Sequence, residues 1–123
     1  MTHKVKITFP TVTGNHYKAL NFSRRKVFVT KAGQDYRRRV MCDLMAQYGV
    51  NKPNLNTPID VKMVITPPDR RKRDIDNICK TLWDALTLAG MWTDDRLIHN
   101  LHISISEPCK PGWVDMEVTA REV

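Results

Sequence analysis

Hydrophobic residues alternate with polar residues in several stretches of the chain, and each of these stretches predicts a β-strand. Alternation runs through residues 4–9, 59–65 and 97–105, and again through WVDMEVTA at residues 113–120. Side chains of a strand point to opposite faces in turn, so this pattern places the apolar residues on one face. The short run VFVT at residues 27–30 predicts one more strand. The turn-like segment EPCKPG predicts that the last two long strands form a hairpin.

Two other segments have helical spacing. From Thr30 to Tyr48 the apolar residues fall four apart and predict an amphipathic helix, which Gly49 ends. Its predicted stripe consists of Tyr36, Val40, Leu44 and Tyr48, with Met41 and Met45 beside it. A second helix is predicted from about residue 75 to Gly90, with Ile75, Ile78, Leu82, Ala85 or Leu86, and Ala89 in its stripe.

The predicted order is β, basic loop, α, β, α, β, β, which indicates an α+β fold. Residues 1–123 are expected to form a single domain, in which one mixed β-sheet carries two packed α-helices. Between the first strand and VFVT, the segment PTVTGNHYKALNFSRRK has no clear period and many cations. It predicts a long, mobile loop, and a loop of this length in a small domain usually has a function.

Composition narrows the class of protein. Hydrophobic residues make up 41% and charged residues 27%, which is typical of a soluble globular chain, and no apolar run reaches the ~20 residues of a membrane span. The N-terminal MTHKVKITFP lacks the apolar core of a signal peptide, so we expect a cytoplasmic protein. Cys42, Cys79 and Cys109 are odd in number and far apart, which predicts reduced, mostly buried thiols and no zinc site.

The positive charge is concentrated in one segment. The net charge is +7, and residues 18–39 contain eight Lys or Arg and one acid, whereas the remaining bases and acids cancel. A basic region of this kind favours a nucleic-acid phosphate backbone as its partner. The alternative is a solvated helix face next to a basic loop.

The stretch DRRKRDIDNICK combines cations with acids. Arg70 to Arg73 directly precede Asp74 and Asp76. Residues two apart share a face only in an extended chain, so this pair is predicted to straddle a junction between loop and helix. One aspartate could cap the helix, which would leave the other unexplained. Two carboxylates on one side also form half of a site for Mg²⁺, an ion that nucleases use to activate water.

Other polar residues have two possible roles each. Lys80 and Asp84 follow Asp76 at four-residue intervals, which fits either a helix salt bridge or a lysine that faces a phosphate. The TDD of residues 93–95 is either a turn or a further source of ligands. His99 and His102 lie three apart on a strand and so face opposite sides, which favours a structural role. The tryptophans at 83, 92 and 113 are expected in core or dimer packing more than in base stacking.

The segment RDIDNICKTLWDALTLAGMWTDDRLI, residues 73–98, resembles the signature of the RusA family of Holliday junction resolvases. That signature has an aspartate pair in D-x-D-N, a lysine four residues later, a D-A-L helix and a D-D pair before a strand. The matching positions here are Asp74, Asp76, Asn77, Lys80, Asp84, Ala85, Leu86, Asp94 and Asp95. The upstream PPDRRKR, the YRRRV of the first predicted helix, the chain length and the element order are similar to this family as well.

The resemblance implies Mg²⁺-dependent cleavage of branched DNA, with Mn²⁺ able to substitute. The reaction would be a pair of symmetric nicks across a four-way junction, in DNA recombination and repair. The resemblance places the metal-binding, catalytic carboxylates at Asp74, Asp76 and Asp95, and makes Lys80 catalytic. It also implies a homodimer that needs no organic cofactor and that associates with the nucleoid when it acts on DNA. A two-fold junction suits a C2 dimer, because such a dimer supplies two equivalent sites.

DNA contacts are expected from the basic loop and from the cations before Asp74. The candidate DNA-binding residues are Asn15, Lys18, Arg24, Arg25, Lys26, Arg70, Arg71, Lys72 and Arg73. Where the family often has Pro-Pro-Ser-x-Asn, this chain has PTVTGNHYK, which keeps counterparts in Asn15 and Tyr17 but lacks the second proline and the serine. Two other functions stay open at this point, a non-catalytic module that binds branched DNA and a metal nuclease for other branches such as flaps.

Overall fold

The elements follow the predicted order, with one hairpin in addition. The computed structural model describes residues 2–10, 18–21 and 26–121, and for residues 18–21, 26 and 27 the backbone alone. The elements are β1 (Thr2–Thr8), β2 (Lys18–Asn21), β3 (Lys26–Val29), α1 (Lys31–Tyr48), β4 (Ile59–Thr66), α2 (Ile75–Ala89), a 3₁₀ turn (Asp95–Leu97), β5 (Ile98–Ile105) and β6 (Trp113–Ala120). β2 and β3 pair antiparallel as a separate two-stranded sheet. Part of the predicted loop is therefore regular, and its residues 11–17 and 22–25 lie outside the described part of the chain.

The main sheet is mixed, as predicted, with the strand order β1-β6-β4-β5. β6 is antiparallel to both of its neighbours, and β5 is parallel to β4. The predicted β5–β6 hairpin is wrong, because β4 lies between these two strands. The reason lies in burial: β6 is apolar enough to fill the centre, with Val114 and Val118 at 0% exposure, whereas Leu101 of β5 is 45% exposed at the edge.

The core lies on one face of the sheet, under the two helices. Alternate residues of β1, β4 and β6 enter it, which confirms the period-two prediction. They are Val5, Ile7, Ile59, Val61, Met63, Ile65, Val114, Met116 and Val118. The stripes of α1 and α2 pack against them, except for Ile75, which was predicted in the α2 stripe and is 38% exposed at the start of the helix. Met41 and Met45, beside the α1 stripe, are 38% and 49% exposed. Gly49 and Gly90 end the helices with positive φ, as predicted.

The two edges of the main sheet differ. Side chains of α1 hydrogen-bond the outer backbone of β1: Gln47 accepts from Lys6 N and donates to Lys6 O, and Asp43 accepts from Thr8 N at 2.8 Å. The hydroxyl of Tyr36 donates to Thr8 O at 2.8 Å. Within the described residues, no side chain binds the backbone of β5 in this way, so the β5 edge is open.

The cysteines are free, and only one of them is buried. Cys79 on α2 is 8% exposed, while Cys42 and Cys109 are exposed. The prediction of mostly buried thiols is wrong for these two, because Cys42 lies on the outer side of α1 and Cys109 in the turn before β6. Burial, together with the charge of Asp76, raises the pKa of Cys79 to about 11. In the described part of the chain, the helices are too short or too polar to cross a membrane.

Candidate active site

The aspartate pair lies at the start of α2, as predicted. After β4, Pro67 and Pro68 break the strand, and α2 begins at Ile75. Asp74 is the N-cap residue, with φ −91° and ψ 120°, and Asp76 is in the first turn. The side chain of Asp74 makes no capping hydrogen bond, although its backbone oxygen accepts from Ile78 N at 3.2 Å. The capping explanation therefore does not account for this carboxylate, which is exposed next to that of Asp76 in sequence.

Asp69 organises the basic segment that leads to Asp74. It accepts hydrogen bonds from the backbone N–H of Arg71 at 3.0 Å and from the guanidinium of Arg73 at 2.7 Å, and both lower the pKa of its carboxyl. Arg73 also lies over the ring of Phe9, 5.1 Å from its centroid, and is only 22% exposed. Arg70 pairs with Glu107 at 3.1 Å. The segment is thus braced against the fold while its outer cations face solvent.

The second group of acids approaches the later half of α2. The chain reverses after Gly90, and Asp94 caps the 3₁₀ turn by accepting from Arg96 N at 2.9 Å, which lowers the pKa of its carboxyl. Burial raises the pKa of Asp95, and the nearby carboxylates of Asp94 and Asp84 raise it further. These acids line a shallow cleft of about 400 Å³ with Lys80, Trp83, Asp84, Thr87 and Thr93. The structure therefore places Lys80 and Asp95 on the same cleft.

An ion pair joins the two helices beside this cleft. The guanidinium of Arg37 on α1 reaches Asp84 Oδ2 with Nη2 at 2.6 Å and Nε at 3.0 Å. The two side chains are 27% and 32% exposed, so the pair is partly shielded from water. The four-residue spacing of Lys80 and Asp84 suggested a pair between them and gave no sign of Arg37, because residues 47 positions apart have no periodic relation. The only hint was the charged YRRRV run on α1.

The tryptophans at this end of α2 belong to the core, as expected. Trp92 is 0% exposed and stacks edge-on against Trp83, with ring centroids 5.8 Å apart. Its indole N–H donates to Thr87 Oγ1 at 2.7 Å. This packing fixes the reversal that brings the 3₁₀ turn back onto α2.

The expected metal ligands are divided between two places in one chain. Asp74 and Asp76 lie at the start of α2, whereas Asp95 lies near Asp84, which is eight residues, or about 12 Å of helix axis, after Asp76. Among the residues that the structure describes, no three Asp, Glu, His or Cys side chains are close enough together to hold a metal ion. Carboxylate oxygens suit a hard divalent cation, so the residue types fit such an ion, but a single chain does not gather the set.

Some of the other candidate DNA-binding residues lie in parts of the chain that the structure does not describe. Asn15, Arg24 and Arg25 lie outside the described residues, and Lys18 and Lys26 are placed by their backbone alone in the β2–β3 hairpin. His99 and His102 are exposed on β5.

Comparison with known proteins identifies the family. The chain matches the family described as Endodeoxyribonuclease RusA over residues 9–118. The chain belongs to the RusA endodeoxyribonuclease family. The α+β fold, with two helices on a mixed four-stranded sheet, is consistent with a RusA-like fold. Membership also implies a nuclease that depends on a metal ion.

Individual relatives match almost the whole chain. The chain is 29% identical over 121 residues to "Crossover junction endodeoxyribonuclease RusA" of Escherichia coli (strain K12). The aligned part covers 96% of this chain and 94% of that protein. Proteins of the same name from Shigella sonnei (strain Ss046) and Enterobacteria phage 82 are each 28% identical over the same shares. The family match covers residues 9–118 and so includes both acidic groups, Asp74 with Asp76 and Asp94 with Asp95.

Proposed function

We propose that this chain is a Holliday junction resolvase, a metal-dependent endodeoxyribonuclease that cuts four-way DNA junctions by paired symmetric nicks. The observation that carries the proposal is the RusA family match over residues 9–118, together with relatives named crossover junction endodeoxyribonuclease across 96% of the chain. The reaction belongs to DNA recombination and repair, and the protein acts in the cytoplasm, on the nucleoid. Its working form is a homodimer, since two equivalent cuts need two equivalent sites.

The metal in this proposal is Mg²⁺, with Mn²⁺ as a substitute, and its ligands are Asp74, Asp76 and Asp95. One chain as described holds these carboxylates in two places, so the proposal requires that they come together when the ion binds. When bound, the ion lowers the pKa of a water and neutralises charge on the scissile phosphate. The uncapped carboxylate of Asp74 supports its part in this set, because no helix hydrogen bond competes for it. No organic cofactor is needed for hydrolysis of a phosphodiester.

Lys80 acts as the catalytic cation. It is exposed on α2, one turn after Asp76, and lines the same cleft as Asp95. A lysine in this position places positive charge where a phosphate oxygen gains negative charge during the reaction. The Arg37–Asp84 pair beside it holds α1 against α2, which fixes the wall of the cleft from which Lys80 projects.

The DNA-binding surface in this proposal joins the basic segment to the β2–β3 hairpin. Arg70, Arg71 and Lys72 are exposed and suit phosphate contacts, whereas Arg73 is engaged with Asp69 and positions the segment before it meets DNA. The hairpin contributes Lys18 and Lys26, and the adjoining segments contribute Asn15, Arg24 and Arg25.

A cleavage assay tests the proposal. The purified protein is mixed with Mg²⁺ and a mobile four-way junction, with each strand labelled in turn and with linear duplex and a flap as other substrates. We expect paired symmetric nicks in the junction alone, and none with EDTA. Tight binding without cutting would favour a non-catalytic binding module, and equal cutting of all substrates would favour a general metal nuclease.

Asp76→Asn is the matched test of the site. It should keep junction binding and lose cutting, because it removes a metal ligand and one negative charge that repels phosphate. Asp35→Asn is its control, since Asp35 is an exposed acid that pairs with Arg38 at 3.0 Å on α1. Cutting by Asp76→Asn at the wild-type rate would show that the site is misplaced.

A further inference from the structure

Lys80 has acidic neighbours on its own helix and in its cleft, yet it pairs with none of them. Two of these acids lie one helical turn away on α2, and two more line the cleft: they are Asp76, Asp84, Asp94 and Asp95. Within the described part of the chain, Lys80 forms no ion pair, and its side chain is exposed. Opposite charges four residues apart on a helix attract each other, so something must occupy these carboxylates.

Two of the acids are held by arginines. Arg37 of α1 donates to Asp84 Oδ2 from Nη2 at 2.6 Å and from Nε at 3.0 Å. Arg96 donates to Asp94 Oδ2 from Nε at 3.1 Å. In the proposed function, the other two acids bind the metal ion. Each carboxylate that could neutralise the Lys80 ammonium therefore has a different partner.

We infer that Arg37 is a positioning residue that keeps Lys80 available to a DNA phosphate. By holding the carboxylate of Asp84, Arg37 prevents a salt bridge between Asp84 and Lys80 along α2. The inference rests on the proposed function for the role of Lys80. It adds a charge role to the packing of α1 against α2, and it assigns that role to a residue of the other helix.

The geometry favours Arg37 over Lys80 as the partner of Asp84. The guanidinium makes two charge-assisted hydrogen bonds to one oxygen, between side chains that are only 27% and 32% exposed. A pair with Lys80 would order a long, exposed side chain, and a base that precedes an acid by four residues is the weaker order on a helix. Lys80 is also the only cation on α2, so it is the cation on that helix to which Asp84 turns when Arg37 is removed.

Single-turnover cutting of a four-way junction tests the effect on the reaction. Lys80→Met should slow cutting by about 10²–10³-fold, and Arg37→Met by about tenfold, because Lys80 remains but is partly neutralised. Adding Asp84→Asn to Arg37→Met should restore most of the lost rate, since no carboxylate is then left at that position to engage Lys80. Arg38→Met is the matched control: it removes the same charge from the next residue of α1, a side chain 72% exposed and paired with Asp35, and should cut at the wild-type rate.

The salt dependence of junction binding in EDTA tests the same inference without metal or cutting. One phosphate contact contributes about 0.9 to the slope of log K against log salt concentration, and Lys80→Met should lower the slope by about that amount. Arg37→Met should lower it by part of that amount, but by nothing further when Lys80→Met is already present. A purely structural role would lower stability without this dependence on Lys80. All variants are measured at a temperature at which thermal unfolding shows them folded.

Three results would overturn the inference. The first is an Arg37→Met variant that keeps the wild-type rate and slope. The second is an equal loss of slope from Arg37→Met with and without Lys80, which would mean that Arg37 itself contacts DNA. The third is a double variant of Arg37→Met with Asp84→Asn that is no faster than Arg37→Met alone.

The two assays together separate this inference from the proposed function. A wild type that leaves junctions uncut, but whose binding slope depends on Arg37 only through Lys80, contradicts the function and supports the inference. A wild type that cuts junctions, with Arg37→Met as active as Arg38→Met, supports the function and contradicts the inference.

Discussion

The turn before β6 should be highly sensitive to a single added methyl group. Gly112 has φ +83°, and a Cβ built on it would lie 2.8 Å from Pro68 Cδ and 2.9 Å from Pro68 N. The same turn is tied to the same segment by a hydrogen bond from Cys109 N to Pro67 O at 2.8 Å. Gly112→Ala therefore forces either the turn or the backbone at Pro68 to move, and Pro68 begins the segment that carries Arg70 to Arg73.

The magnitude follows from two contributions. A non-glycine residue with positive φ costs about 1–2 kcal/mol, and overpacking against a rigid neighbour costs about 1–3 kcal/mol more. We expect Gly112→Ala to lower the free energy of unfolding by about 2–5 kcal/mol, a large part of the 5–15 kcal/mol typical of a domain. Gly90→Ala is the matched control, because Gly90 has φ +93° but its Cβ would meet only the flexible side chain of Lys52, at 3.0 Å. Its cost should stay near 1–2 kcal/mol.

Urea denaturation of both variants measures the difference. The two curves should have similar slopes and clearly separated midpoints, with Gly112→Ala the less stable. At a temperature where both are folded, Gly112→Ala should also bind the junction more weakly, because the basic segment has shifted. If Gly112→Ala is no more destabilising than Gly90→Ala, the packing of the turn on Pro68 is not as described.

Three further predictions concern the ion pairs and the DNA surface. Arg37→Met should cost about 1–3 kcal/mol of stability in thermal unfolding, because it removes two hydrogen bonds between charged groups that are partly shielded from water. Arg38→Met breaks a pair whose side chains are 72% and 56% exposed, and it should cost under about 1 kcal/mol. Equal losses in the two variants would show that the Arg37–Asp84 pair is not shielded. The affinity for the junction should fall steeply as the salt concentration rises. Replacing Arg71 and Lys72 by Gln should reduce the slope of log K for junction binding against log salt concentration by about 2. An unchanged slope would show that these two residues do not contact DNA phosphates. Hydrogen bonds from Asn100 and then Arg121 lower the pKa of Asp60 in the folded state. The wild type should therefore be more stable than Asp60→Asn at every pH above ~4, and this difference in the free energy of unfolding should disappear as the pH falls through the lowered pKa. A difference that grows on acidification would show that the pKa of Asp60 is raised on folding.

Local structure and family could be predicted from the sequence because their signals are local. Periodicity placed β1, β4, α1 and α2 within a few residues, since the side chains that share a face repeat at 2.0 or 3.6 residues. The junction at Asp74 was predicted for the same reason, from the proline break and the start of the helical period. The D-x-D-N, Lys80 and D-D spacing likewise indicated the RusA family, whose match covers residues 9–118.

Pairing across the chain depended on the tertiary structure. Nothing local distinguishes a β5 that joins β6 from a β5 that lies parallel to β4, because the choice depends on which strand buries its face at the centre of the sheet. The Arg37–Asp84 pair and the protection of the β1 edge by Gln47 also join residues more than forty positions apart.

The sequence by itself determined the two helices and the strands of the main sheet, the one-domain α+β class and the family, since these depend on residue type and spacing along the chain. Only the tertiary structure decided that Asp95 lies beside Asp84, away from the start of α2, and that none of the described residues covers the edge of β5. The physical reason is the same in both cases. The return of the chain after Gly90 and the choice of the strand left at the sheet edge both depend on packing between segments that are far apart in sequence.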